Sequence, residues 1–228
     1  MSIVIAVDGT AASGKGTLAQ KLAQHFHFAH LDSGSLYRLV GLKVIEAGGD
    51  PDREEDAVRA ARRLTAATIE AACNDGARIR SAGIGDAASI VSAFPEVRES
   101  LLQFQRDFAA HPPDRAKGAV IDGRDIGTVI CPNATAKAFV DAKPEVRAHR
   151  RFLELKERGE PAEQAVILKE LIERDRRDRE RAVSPLRPAS DALLLDTSNL
   201  DIDAAFAAAL ALVQPKVEEA LKALPQGF

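Results

Sequence analysis

Residues 9–17 read Gly-Thr-Ala-Ala-Ser-Gly-Lys-Gly-Thr, and this stretch decides the fold of the 228-residue chain. It matches the phosphate-loop pattern G-x-x-x-x-G-K-[ST], except that a second glycine, Gly16, follows Lys15 before the hydroxyl residue. A short apolar run at residues 3–7 precedes the stretch, and residues 14–26 carry apolar side chains at helical spacing. A strand, a glycine-rich loop and a helix in this order predict a phosphate-binding loop. The alternative is a plain glycine-rich turn.

The chemistry of such a loop depends on its backbone and on the residues that close it. Glycines allow the backbone N–H groups to turn inward around an anion, and the helix that follows directs its positive end at the same anion. Lys15 would reach the β- and γ-phosphates of a nucleoside triphosphate, and Thr17 would ligate Mg²⁺, with Asp122 acting through a water molecule. The residues predicted to bind ATP are Gly9, Thr10, Ala11, Ala12, Ser13, Gly14, Lys15, Gly16 and Thr17.

The rest of the chain continues the alternation of strands and helices. Further strands are predicted at residues 28–31, 119–121, 136–140 and 192–195. With helical segments between them, the runs are typical of a three-layer α/β fold with a five-stranded parallel sheet, the P-loop NTPase fold. Two segments depart from the pattern, and we expect residues 40–114 to form a helical acceptor-binding insertion and residues 145–181 to form a helical lid. The predicted core consists of residues 1–39, 115–144 and 182–228 of a single domain.

Composition excludes several other classes of protein. The formal net charge is −3 and there is no Trp and only one Tyr, which argues against a general nucleic-acid binder. Cys73 and Cys131 lie far apart and form no C-x-x-C pair, so we expect reduced thiols. No signal peptide or membrane-length apolar stretch is evident, and a cytoplasmic protein without a membrane partner is predicted. The five histidines show no metal-ligand spacing and receive no function.

Two motifs are candidates for binding an acceptor. In LDSGSLYR, residues 31–38, Ser33 and Arg38 would face an acceptor phosphate at the start of a helix, although capping of that helix is an alternative explanation. In IDGRDIGT, residues 121–128, polar side chains follow a predicted strand, and open α/β sheets bind ligands at such strand ends. Arg124 would contact phosphate there, whereas the alternative is a charged turn with internal ion pairs.

The third candidate is a charged run at residues 173–181, ERDRRDRER. A solvated helix face is the usual explanation of such a run, and here it accounts for Arg176 and Arg179. Arg174, Asp178 and Arg181 are spaced four and three residues apart, so they share a face that could grip phosphates and an acceptor ribose.

Together, LDSGSLYR, IDGRDIGT and the later RDRRDRERAVSPLRPA resemble the bacterial-type cytidylate kinases, which are nucleoside monophosphate kinases of the P-loop group. The resemblance covers nearly the whole chain. It implies direct in-line phosphoryl transfer from ATP to CMP and dCMP with Mg²⁺. The catalytic residues it implies are Lys15, Arg124, Arg174 and Arg181. The CMP-binding residues it implies are Ser33, Arg38, Ser89, Arg98, Arg124, Asp125, Arg174, Asp178 and Arg181.

The resemblance also implies which residues recognise the base, and the sequence departs from the family pattern in one large feature. Asp125 and Ser89 would accept hydrogen bonds from the cytosine edge, and Arg98 would donate one. The family's acceptor-side insertion carries a small β-sheet, much of which is missing from the short stretch at residues 68–85. Another small-molecule kinase and a nucleotide-dependent switch protein remain as rival functions, and a monomer is expected.

Overall fold

A computed structural model describes residues 2–74, 79 and 83–224. Its sheet contains the strands β1 Ile3–Gly9, β2 Ala29–Asp32, β3 Gly118–Gly123, β4 Ala136–Asp141 and β5 Leu193–Asp196. All strand pairs are parallel and the order across the sheet is β2-β3-β1-β4-β5. The predicted five-stranded parallel sheet is confirmed, with each strand shifted by at most a few residues.

Helices connect the strands and cover the sheet. They are α1 Lys15–Phe26, α2 Ser33–Glu46, α3 Glu54–Arg62, α4 Ala66–Asn74, α5 Ile84–Val91, α6 Pro95–Ala110, α7 Pro144–Glu157, α8 Gln164–Glu180 and α9 Ile202–Ala223. A π-helical turn, Ile126–Ile130, follows β3 directly. Across the described ranges, none of these helices combines the length with the apolar run that crossing a bilayer requires.

The central strand β1 is buried on both faces, as its unbroken apolar run predicts for a parallel sheet. Ile5 and Val7 belong to a core cluster with Leu22 of α1 and Val213 of α9. Ala6, which points to the opposite face, packs in a second cluster with residues of β3 and α6. Helices therefore cover both faces of the sheet, and the three-layer prediction is confirmed.

The segment between β2 and β3 is helical and has an apolar cluster of its own, which includes Leu36, Val40, Val91 and Leu101. Its described residues contain no strand, in agreement with the absence of one predicted from the sequence. The stretch at 68–85, where the family's small sheet was expected to be reduced, lies partly outside the described residues.

Candidate active site

The loop between β1 and α1 has the geometry that its glycines predict. A Cβ atom at Gly9 would lie 2.0 Å from the carbonyl oxygen of Val140, so the neighbouring strand leaves room only for glycine. Gly14 has a φ of +89°, in the left-handed region where a side chain introduces strain. These two positions hold the loop against β4 and turn it into the first residue of α1.

Carbonyl groups of the loop are held outward by polar side chains. The Ser13 hydroxyl donates to the Thr10 carbonyl at 3.0 Å, and the Thr197 hydroxyl donates to the Ser13 carbonyl at 2.9 Å. Because the C=O and N–H of a trans peptide point in opposite directions, fixing these carbonyls turns the following N–H groups toward the anion position. The Thr10 hydroxyl donates to Asp141 at 2.6 Å, so the buried hydroxyls of Thr10 and Ser13 support the loop.

The loop opens into a cavity of about 1300 Å³ lined by cationic side chains from several elements. Its lining includes Lys15, Thr17, Arg38, Asp122, Arg124 and Arg174. Parallel pairing explains the convergence, because Asp122 on β3 is the register partner of Val7 on β1 and of Asp32 on β2. The carboxyl ends of three strands thus meet beside the phosphate loop, as expected for a ligand site of an open α/β sheet.

The cations in this cavity repel one another. Burial, followed by the nearby Arg124 guanidinium, lowers the pKa of Lys15 to about 8. Burial, followed by Arg124, also lowers the pKa of Arg174 to about 10, and Arg38 contributes in the same direction. Burial and like charge both disfavour these cations in the free protein, and a bound anion would offset that cost.

Among the acidic residues that line this cavity, Asp122 lies next to the phosphate-loop lysine. Its Oδ1 lies 3.9 Å from Lys15 Nζ and its Oδ2 lies 3.0 Å from Nε2 of His30. His30 lines the cavity, and sequence reasoning missed this contact because no metal-ligand spacing pointed to it. A Cβ atom at Gly16 would lie 3.8 Å from Asp122 Oδ1. With glycine at position 16, no side chain fills the space between the loop and this carboxylate.

The charged run on α8 divides as predicted into an exposed and a buried side. Arg176 pairs with Glu173 and Glu180 at 2.7 and 2.6 Å in solvent. Asp178 is buried and accepts from Arg124 Nε at 2.9 Å. Burial alone would lower the pKa of Arg124, but the Asp178 carboxylate raises it. The bond between Asp178 and Arg124 thus connects the buried side of α8 to the segment that follows β3.

The residues predicted to recognise the base are buried. Arg98 Nη2 donates to Asp125 Oδ2 at 2.5 Å, and the Arg98 guanidinium lies over the Tyr37 ring at 5.3 Å. Arg181 Nη2 lies 4.0 Å from Asp125 Oδ1. The Ser89 hydroxyl is buried and has no hydrogen-bond partner among the described residues. A buried hydroxyl without a partner is available to a polar ligand.

At the start of α2 the structure differs from the cap explanation. Asp32 occupies the N-cap position but makes no capping bond with its side chain, and the Ser33 hydroxyl donates to the Asp122 carbonyl at 2.7 Å. Ser33 therefore ties α2 to the end of β3, and its contact with an acceptor stays a prediction. Arg38, one turn further on, lines the cavity.

Asp8 is a further residue that sequence reasoning did not single out. Its carboxylate accepts from the backbone N–H groups of Ile126 and Gly127, each at 2.8 Å. These bonds fix the start of the π-helical turn immediately after Arg124 and Asp125. The only sequence signal for this role is an acidic residue at the end of a buried strand, which also suits a simple turn.

The parallel sheet, the phosphate loop and the cationic cavity define a P-loop kinase. The family profile described as cytidylate kinase matches residues 5–215. The chain belongs to the cytidylate kinase family, which confirms the resemblance found in the sequence motifs.

Curated relatives named cytidylate kinase match almost the whole chain. The one from Nitrobacter winogradskyi is 53% identical over 212 residues, which cover 93% of this chain and 96% of the relative. The one from Rhodospirillum rubrum is 51% identical over 218 residues, covering 95% of this chain and 100% of the relative. The structure of a gluconokinase from Sinorhizobium meliloti covers 97% of this chain and 98% of its own with a TM-score of 0.51 at 13% identity. At that identity the structural similarity shows the fold alone.

Proposed function

We propose that the protein transfers the γ-phosphoryl group of ATP to CMP and dCMP, yielding ADP with CDP or dCDP. The observation that carries this proposal is the set of cations around the phosphate loop, whose lowered pKa values at Lys15 and Arg174 mark a cavity in need of anions. Two phosphate-bearing ligands meeting at this point would compensate those charges. Membership of the cytidylate kinase family supports cytidine nucleotides as acceptors.

The donor would lie with its phosphates in the loop at residues 9–17 and its transferred group beside Lys15. The acceptor phosphate would lie across the cavity, where Arg38, Arg124 and Arg174 converge. A CMP phosphate is already a competent nucleophile, so the chief tasks are in-line placement and stabilisation of charge on the transferred oxygens. Arginine suits the second task because its planar fork binds two phosphate oxygens at once.

Mg²⁺ would enter with ATP and would neutralise part of the developing charge on the phosphates. The described residues contain no group of three or more His, Cys, Asp or Glu side chains that could hold a metal by themselves. The donors predicted from the sequence, the exposed Thr17 hydroxyl and the Asp122 carboxylate, both line the cavity. Mg²⁺ retains several waters and binds mainly through substrate phosphates with one or two protein oxygens. A site with few protein ligands therefore fits this ion.

Recognition of the base would use the buried group formed by Ser89, Arg98 and Asp125. Cytosine presents a 4-amino donor beside an unprotonated N3, whereas uracil presents O4 beside an N3–H. An acceptor carboxylate at Asp125 and a donor guanidinium at Arg98 match the cytosine pattern. Ser33, Asp178 and Arg181 would complete the acceptor site.

Segments 40–114 and 145–181 would act as the acceptor-binding insertion and the lid around the core. Closure of the lid would exclude water, which competes for the phosphoryl group. A monomeric state and a cytoplasmic location remain predictions from the sequence.

Product identification tests the proposal. Purified protein incubated with ATP, Mg²⁺ and CMP should give equal amounts of CDP and ADP by anion-exchange chromatography, and Lys15→Ala should give almost none. ADP appearing with inorganic phosphate at a rate independent of CMP would instead favour a nucleotide-dependent switch. Rapid ADP formation only with a different acceptor would favour another small-molecule kinase.

A further inference from the structure

A buried arginine outside the predicted site links the phosphate loop to the arginine-bearing helix α8. Arg147 on α7 is 1% exposed. Its Nε donates to the Ala142 carbonyl at 2.8 Å, its Nη1 to the Ala11 carbonyl at 3.1 Å, and its Nη2 to Asp175 Oδ2 on α8 at 2.6 Å. One guanidinium therefore bridges three segments of the chain.

The bond to Ala11 acts on the phosphate loop itself. With the Ala11 carbonyl directed toward Arg147, the N–H of the same planar peptide, which belongs to Ala12, is turned the opposite way. Ala12 lines the cavity. Arg147 thus holds one of the loop's peptides in the orientation that an anion requires.

The bond to Asp175 acts on α8. Asp175 is 3% exposed and lies directly after Arg174 and three residues before Asp178, the partner of Arg124. Fixing Asp175 therefore fixes the direction in which Arg174 and Asp178 project. Ala11 also packs with Ala148 of α7 and with Ile167 and Leu171 of α8 in a small apolar cluster, so the polar and apolar contacts join the same elements.

Stability alone is a weak reason for such a pair, because a buried ion pair contributes about as much as well-packed apolar residues of similar volume. Arg147 and Asp175 do provide a fixed distance between the loop and α8 through directional bonds. We infer that Arg147 and Asp175 are positioning residues that hold Arg174 at the phosphates, although neither touches the substrate. This inference rests on the proposed function, since its readout is phosphoryl transfer to CMP.

The test compares Asp175→Ala, Asp175→Asn and, as a matched control on the same helix, the solvent-exposed Arg176→Ala. Asp175→Ala should lower kcat about tenfold or more with little change in the KM of ATP, because a small displacement of a catalytic group costs that much or more. Asp175→Asn keeps an oxygen that can accept from Arg147 and should recover most of the lost rate. Arg176→Ala should retain wild-type kcat.

A double substitution separates positioning from a general structural role. If Asp175 acts through Arg174, then Arg174→Ala combined with Asp175→Ala should lose no more than about threefold beyond Arg174→Ala alone. Independent, multiplying losses would overturn the inference, as would wild-type kcat in a folded Asp175→Ala protein.

A further variant keeps the test open if Asp175→Ala does not fold. Arg147→Lys retains the charge but cannot donate to three acceptors in a fixed fork, so a folded Arg147→Lys protein should also show a kcat about tenfold lower. Wild-type kcat in that variant would contradict the inference.

The wild-type protein is assayed first, so that failure of the proposed function and failure of this inference can be distinguished. No conversion of CMP would refute the proposed function and this inference with it. An active wild type with equally active variants would refute the inference alone.

Discussion

Replacing Arg174 with Ala should separate catalysis from stability. The Arg174 guanidinium lines the phosphate cavity, and its Nε has no hydrogen-bond partner among the described residues. Burial and the neighbouring Arg124 lower its pKa to about 10, which corresponds to at most roughly 3 kcal/mol of unfavourable interaction with the charged form. Removing the side chain therefore removes the cost of burying this charge near Arg124 in the free protein, and the free energy of unfolding should stay level or rise.

The effect on turnover should have the opposite sign. A positioned cation that stabilises transferred oxygens contributes about 2.7–4 kcal/mol to the transition state, so Arg174→Ala should lower kcat by about 100- to 1000-fold. If Arg174 reaches the phosphates only on closure of the lid, ATP binding without acceptor should change by less than about threefold.

The assay is steady-state ADP formation with CMP, run beside thermal unfolding of the same samples. Arg176→Ala is the matched control, two residues along α8, where solvent screens the exposed pairs with Glu173 and Glu180 and leaves them little effect on stability. Its kcat should equal that of the wild type. Equal losses at Arg174 and Arg176, or a loss of kcat that simply follows a loss of folded protein, would refute the reasoning.

Three further substitutions or titrations follow from the site. Lys15→Ala should reduce transfer by about two orders of magnitude or more with little change in the thermal stability of the nucleotide-free protein; near-normal turnover would exclude the phosphate-loop role. Because the pKa of Lys15 is lowered to about 8 and bound phosphates would raise it again, ATP binding at pH 8.5 should take up a fraction of a proton, and affinity should fall as pH rises above 8. Calorimetry in buffers of different ionisation enthalpy measures that uptake at pH 8.5, and it should be absent in Lys15→Met. Asp125→Asn can donate to uracil O4, so the CMP:UMP ratio of kcat/KM should fall about tenfold; an unchanged ratio would remove Asp125 from base recognition.

The sequence predicted the sheet and the loop because both leave local signals. The apolar run of β1 ends at Gly9, and the glycines and lysine that follow have a spacing that few other structures require. The order of the strands left no such signal, because pairing between β1, β3 and β4 joins residues more than a hundred positions apart. Only the folded sheet brings Asp122 and His30 together beside the loop.

The charged helix shows the limit of prediction most clearly. Helical spacing correctly separated exposed Arg176 from buried Asp178. It could not distinguish Asp175 from its neighbours in an alternating run of charges, since the partner that buries it, Arg147, comes from another helix. Ser33 was predicted from a motif, but its hydroxyl donates to the Asp122 carbonyl, a contact that no local pattern encodes.

The most direct test of the central claim is the kcat/KM of the wild-type protein for CMP, UMP and AMP at matched ATP and Mg²⁺. If Asp125 accepts from the base and Arg98 donates to it, as we propose, the site favours the cytosine edge, because uracil would place O4 against the carboxylate. We predict CMP as the preferred acceptor, with UMP at least about a hundredfold lower and AMP lower still. Equal values for the three acceptors, or a preference for UMP or AMP, would contradict the account.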